Sequence, residues 1–106
     1  MRIDVQDGVY GDQTRAYAEY RIFSTLKNFG DIVRQATVTL TPSESTADAR
    51  DEAVVVCRVT IHMTHDRRAE AAATGRHPYG AIDRAAQRVE LLMKKNGGSV
   101  DADVTS

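Results

Sequence analysis

The sequence predicts an α+β two-layer sandwich, in which a four-stranded, mostly antiparallel sheet carries two helices on one face in the order β-α-β-β-β-α. Three observations predict it. Four segments alternate apolar and polar residues with the period of a half-buried strand. Two others repeat apolar residues at helical spacing. A chain of 106 residues, 42% of them hydrophobic, supplies one core, so both helices must share it with the sheet.

Residues 2–6, RIDVQ, place Ile3 and Val5 on one side and form a short first strand. The turn-like DGVYGDQ follows. Asp12 or Thr14 can then accept a free amide at the start of a helix running to about Phe29, with Ala18, Ile22, Leu26 and Phe29 as its buried stripe and Gly30 as its end. Residues 35–41, QATVTLT, put Ala36, Val38 and Leu40 on one face and threonines on the other.

After a loop over 42–53, residues 53–63 alternate again, with Val55, Cys57, Val59, Ile61 and Met63 toward the core. Cys57 therefore reads as a small buried hydrophobe. THDR turns the chain. Arg67 to Thr74 is a strand whose Ala69, Ala71 and Ala73 leave room for a large neighbour, although alanine alone would accept a helix there. A break over Gly75–Gly80 precedes the clearest helix, AIDRAAQRVELLMKK, with Ile82, Ala85, Ala86, Val89 and Met93 buried and Glu90 spaced to pair with Lys94. Residues 1–96 are read as one domain and 97–106 as a flexible C-terminal tail.

The net charge of −1 argues against a nucleic-acid binder until its distribution is read. Loop 42–53 sums to −3 and the tail to −2, which leaves +4 on the remainder. Two acidic segments conceal a basic body. No apolar run approaches the length of a membrane span, and MRIDVQDG lacks the basic and apolar parts of a secretory leader, so the chain is read as cytoplasmic. One cysteine excludes an internal disulfide.

Chemistry of the catalytic kind is not indicated. No nucleophile motif or phosphate loop is present, and GDQTR and NGGS have neither the spacing nor the context of one. His62, His65 and Asp66 would need a further ligand from elsewhere to hold zinc, and a wet-face histidine beside a turn histidine explains them equally well. No cofactor or metal is expected.

The second helix is more informative. With Ile82 as the zero of rotation, Arg84 lies at about 200°, Lys95 at about 220° and Arg88 at about 240°, a narrow cationic stripe almost opposite the core. Such a stripe can reach several backbone phosphates, and a plain solvated face would carry it too. On the first helix, Tyr20 and Phe23 fall outside the core stripe with Lys27, and Arg21 lies on the flank. Those aromatics could stack on bases, form a subunit contact, or lie under a neighbouring loop or tail.

The segment 79–95, YGAIDRAAQRVELLMKK, resembles the second-helix signature of the ribosome hibernation-promoting factors, also called ribosome-associated inhibitor A, protein Y or sigma-54 modulation proteins. Tyr79, Ala81, Ile82, Asp83, Ala85, Arg88, Val89, Glu90, Lys94 and Lys95 meet that pattern in register. Arg15, Tyr17, Glu19, Arg21, Ile22, Lys27, Phe29 and Ile32 fit the family's first helix and its exit, and Gly75 its glycine before the second. Tyr20 and Ser24 stand where lysine is common in the family.

The resemblance implies a fold like that of double-stranded-RNA-binding domains and a non-enzymatic factor of the short class, without the additional C-terminal domain of longer members. Its implied partner is the small ribosomal subunit, in the channel between head and body where messenger and transfer RNA lie, with no membrane and no DNA involved. The 16S rRNA contacts carried over are Arg21, Lys27, Arg88, Lys94 and Lys95, with Arg84 added by the stripe and Arg15 as an outlier. A second reading keeps the fold but uses Tyr20 and Phe23 as a homodimer contact.

Overall fold

In the computed structural model, which describes residues 1–43 and 54–95, the elements are β1 (Arg2–Gln6), α1 (Asp12–Leu26), β2 (Val33–Ser43), β3 (Val54–Met63), β4 (Arg68–Gly75) and α2 (Pro78–Met93). The sheet order is β1-β2-β3-β4. β1 pairs parallel with β2, and the other two pairings are antiparallel. The parallel pair follows from α1, which carries the chain back to the starting end of the sheet before β2 begins.

The alternation in the sequence becomes rows across the sheet. Ile3, Ala36, Ile61 and Ala69 stand side by side, as do Val5, Val38, Val59 and Ala71, on the face that α1 and α2 cover. Ala18, Ile22 and Leu26 of α1 and Ile82, Ala85, Ala86, Val89 and Met93 of α2 close the same core. The alanines of β4 let α2 approach closely. Gly75 completes that approach: a Cβ there would stand 2.8 Å from the backbone nitrogen of Ala81, so the end of β4 and the first turn of α2 meet backbone to backbone.

Cys57 is fully buried, and burial pushes its thiol up to about 12. It is a core hydrophobe, as its place in the alternation indicates.

Five local expectations are corrected. α2 starts at Pro78, not after Gly80, because proline at the first helical position lacks only an amide that would be unbonded anyway. α1 has neither Asp12 nor Thr14 as its cap. Gly11, at φ 99°, precedes the helix without a side-chain bond, and Asp7 instead accepts the amides of Val9 and Tyr10 in the preceding turn. α1 ends at Leu26 and tightens into a 3₁₀ turn over Lys27–Phe29. Gly30 follows at φ −59°, right-handed rather than left-handed.

Pro42 and Ser43 belong to β2, opposite Val55 and Val54, so the loop does not begin at residue 42. β2 also begins earlier than Gln35, with a bulge between Val33 and Gln35 that lets both Val33 and Ala36 face the core. The rest of the acidic loop and the tail 97–106 lie outside the described residues. At the β3–β4 connection His65 and Asp66 take φ values of 63° and 58°, the conformation a tight hairpin requires. Among the described residues no helix is long and apolar enough to cross a membrane.

Candidate nucleic-acid interface

α2 lies over β3 and β4, with its buried stripe on the sheet, so the residues next to that stripe overhang the β4 edge. Arg84 and Arg88, one turn apart, are exposed but occupy that flank beside the sheet edge rather than lying almost opposite the core, because their long side chains reach the β4 backbone. An edge strand leaves a row of carbonyls without partners. The Arg84 guanidinium donates to the Thr74 carbonyl at 3.2 Å, and the Arg88 guanidinium donates to the Ala72 carbonyl. Each arginine has five N–H donors, so one bond to a neutral acceptor leaves most donors and the whole positive charge available. The same bonds cap the strand edge.

The cations of α1 have different partners. Arg21 donates from Nε to Asp83 Oδ1 at 3.1 Å, and from Nη1 to Thr25 Oγ1 at 3.4 Å. Tyr17 donates its hydroxyl to the same Asp83 oxygen at 2.6 Å, and its ring stacks on Tyr79 with centroids 4.6 Å apart. This bond to Asp83, with burial next, raises the Tyr17 hydroxyl above its ordinary value. Tyr17, Arg21, Tyr79 and Asp83 therefore form the joint between the two helices. Arg15 pairs with Asp12 at 3.4 Å in the first turn.

The sequence-derived positions thus divide into separate groups. Arg84 and Arg88 share the β4 flank of α2. Lys94 pairs with Glu90 at 3.5 Å near the end of α2, where Lys95 is also exposed. Lys27 is exposed in the 3₁₀ turn after α1. Arg21 faces Asp83 of α2 with its side chain 31% exposed. Tyr20 and Phe23 are 65% and 48% exposed and border a concavity with Met1, Ile3, Ala16 and Glu19, on the side of α1 toward β1. His62 lies on the uncovered face of β3 and His65 in the following turn. Among the described residues no group of three or more His, Cys, Asp or Glu side chains is placed to hold a metal ion.

The joint is what sequence reasoning missed. Tyr17, Tyr79 and Asp83 carry the family resemblance, but periodicity within one helix has no means of pairing residues 62 and 66 positions apart. The carbonyls of Ala72 and Thr74 were equally invisible, since edge position depends on strand order.

A profile described as sigma 54 modulation protein / S30EA ribosomal protein matches residues 5–98. The chain belongs to this family. For this S30EA-family chain, a search of curated proteins finds no match. Two solved structures share its fold. One is a ribosomal subunit interface protein from Coxiella burnetii, with a TM-score of 0.70 and 11% identity over 90% of this chain and 96% of that one. The other is the N-terminal domain of Protein Y from Thermus thermophilus, with a TM-score of 0.67 and 20% identity over 90% and 98%. The S30EA match spans both helices, including the Tyr17–Tyr79–Asp83 joint and the arginine flank.

Proposed function

We propose that the protein is a cytoplasmic, non-enzymatic factor that binds the small ribosomal subunit by 16S rRNA phosphates and silences translation by occupying the channel of messenger and transfer RNA. Membership of a family described by a ribosomal protein supports the setting. The observation that carries the contact is the Arg84 and Arg88 pair, exposed on α2 and held by backbone carbonyls rather than carboxylates.

Folded RNA is recognised mostly by shape and by phosphate and 2′-hydroxyl contacts. Two guanidiniums fixed one turn apart on a packed helix meet that requirement with little side-chain ordering left to do. Lys95 and Lys27 extend the cationic surface at the helix ends. Arg21, Arg15 and Lys94 contribute less, because each already faces a carboxylate of the chain.

Co-sedimentation with small subunits on sucrose gradients tests this. The wild type should travel with the subunit at low salt and dissociate at high salt, and the Arg84→Glu, Arg88→Glu, Lys95→Glu variant should stay at the top in both. Unchanged co-sedimentation of the variant would remove α2 from the interface.

A second reading, a homodimer through α1, has its own support in the exposure of Tyr20 and Phe23 beside Met1 and Ile3. Under it, Tyr20→Ala with Phe23→Ala turns a dimer into a monomer in light scattering. A monomeric wild type ends it.

A further inference from the structure

The face of the sheet opposite the helices carries a second cationic surface. The strand registers align Arg2, Gln35, His62 and Arg68 in one row from β1 to β4, across about 14 Å at 4.8 Å per strand. The bulge in β2 adds a fifth side chain. Because Val33 and Ala36 both face the core, the two residues between them, Arg34 and Gln35, both fall on the outer side. A regular strand would have turned one of them inward.

Arg2, Arg34, Gln35, His62 and Arg68 line one concavity together with Met63, Asp66 and Arg67. Among the described residues no ion pair joins Arg2, Arg34 or Arg68 to a carboxylate. The next row, Asp4, Thr37, Thr60 and Glu70, carries acid only at its two ends, and Glu70 is held by Arg58 at 3.3 Å. Beyond the basic row the face presents the short hydroxyl side chains of Thr37, Thr39, Thr41, Thr60 and Thr74.

We infer that the row of Arg2, His62 and Arg68, with Arg34 from the bulge, is a second RNA-binding surface, so that ribosomal RNA meets the domain both at the α2 flank and on the uncovered face of the sheet. The inference rests on the proposed ribosome binding and adds to it a surface on the other side of the sheet. Charge complementarity chooses the occupant: three guanidiniums and an imidazole spread over the four strands match a run of phosphates, and the threonine hydroxyls beside them match 2′-hydroxyls.

The test measures affinity of the full chain for purified small subunits over a salt series, for the wild type, for Arg2→Gln/Arg34→Gln/Arg68→Gln and for Arg84→Gln/Arg88→Gln, with circular dichroism and thermal unfolding to establish that each variant folds. The sheet-face variant should bind about tenfold or more weakly at moderate salt, and its log–log salt slope should be shallower by about two to three. Lysine replacements at the same three positions should restore most of the slope. If the sheet-face variant binds like the wild type while the α2 variant fails, the second surface is wrong and the ribosome reading stands. If the wild type itself does not bind, both fall. Weaker binding to intact subunits with unchanged binding to protein-free 16S rRNA assigns the row to a protein partner and overturns the inference.

Discussion

α1 and α2 are near twins in length and in how they bury a stripe on the same core, yet their arginines have opposite fates. On α1, Arg15 and Arg21 face Asp12 and Asp83. On α2, Arg84 and Arg88 lean on the carbonyls of Thr74 and Ala72. A guanidinium bound to a carboxylate must give up that partner before it can meet a phosphate, whereas one bound to a neutral carbonyl keeps its charge and spare donors. The difference teaches that counting basic residues on a helix says little about binding until the partner of each is known. It also follows from position, since α1 sits beside the acidic flank of its neighbour and α2 sits beside a strand edge.

The largest effect that sharpens this comparison concerns the core beneath α2. Cys57 has its folded value raised from 9.0 to about 12 by burial, so folding favours the neutral thiol. Its contribution is fully present below pH 9 and is lost as pH rises from there toward 12, by about 4 kcal/mol from a shift of about three units. Urea unfolding at pH 8 and at pH 11 should show the loss, and Cys57→Val should shrink it. A slope unchanged by that substitution would mean that the thiol is not sealed under the helix.

Next comes the seat of α2. Gly75→Ala drives a Cβ into the Ala81 backbone and should cost about 1–3 kcal/mol in denaturant unfolding. The corresponding change at the exit of α1, Gly30→Ala, meets only the Lys27 carbonyl at an ordinary 3.5 Å and should cost under about 1 kcal/mol. Similar costs at the two glycines would show that both helix ends tolerate a side chain equally.

A further stability effect, smaller than that at Gly75, is at the joint. Asp83→Asn weakens the bonds from Tyr17 and Arg21, and because both partners of the ion pair are part-exposed the cost should be about 1 kcal/mol. The same change releases Arg21, so subunit binding should tighten modestly and grow more salt-dependent. A variant that loses stability without any change in binding would show that Arg21 points away from the RNA.

Much of this architecture is legible from alternation alone. Val55, Cys57, Val59, Ile61 and Met63, and Ala36, Val38 and Leu40, point inward as their period of two requires, and the alanines of β4 make sense once α2 must fit above them. The start of α2 was obscured because Pro78 and Gly80 read as breakers, although proline is well suited to a first helical position. The bulge at Arg34 was hidden for the opposite reason: it interrupts the period, and only the partner strand reveals that two successive residues face out. The exposure of Arg84 and Arg88 could be read from their angle on the helix. Their carbonyl partners, and the capture of Arg21 by Asp83, depend on which elements are neighbours, which no local pattern contains.

The central claim is tested most directly by comparing two double variants for affinity to purified small ribosomal subunits at fixed moderate salt: Arg84→Gln/Arg88→Gln on α2 and Arg15→Gln/Arg21→Gln on α1. Each removes two positive charges from one helix. The partner assignments predict a loss of about tenfold for the α2 pair and less than about threefold for the α1 pair. Equal losses, or a greater loss from α1, would contradict the view that the carbonyl-held arginines are the ones that meet RNA.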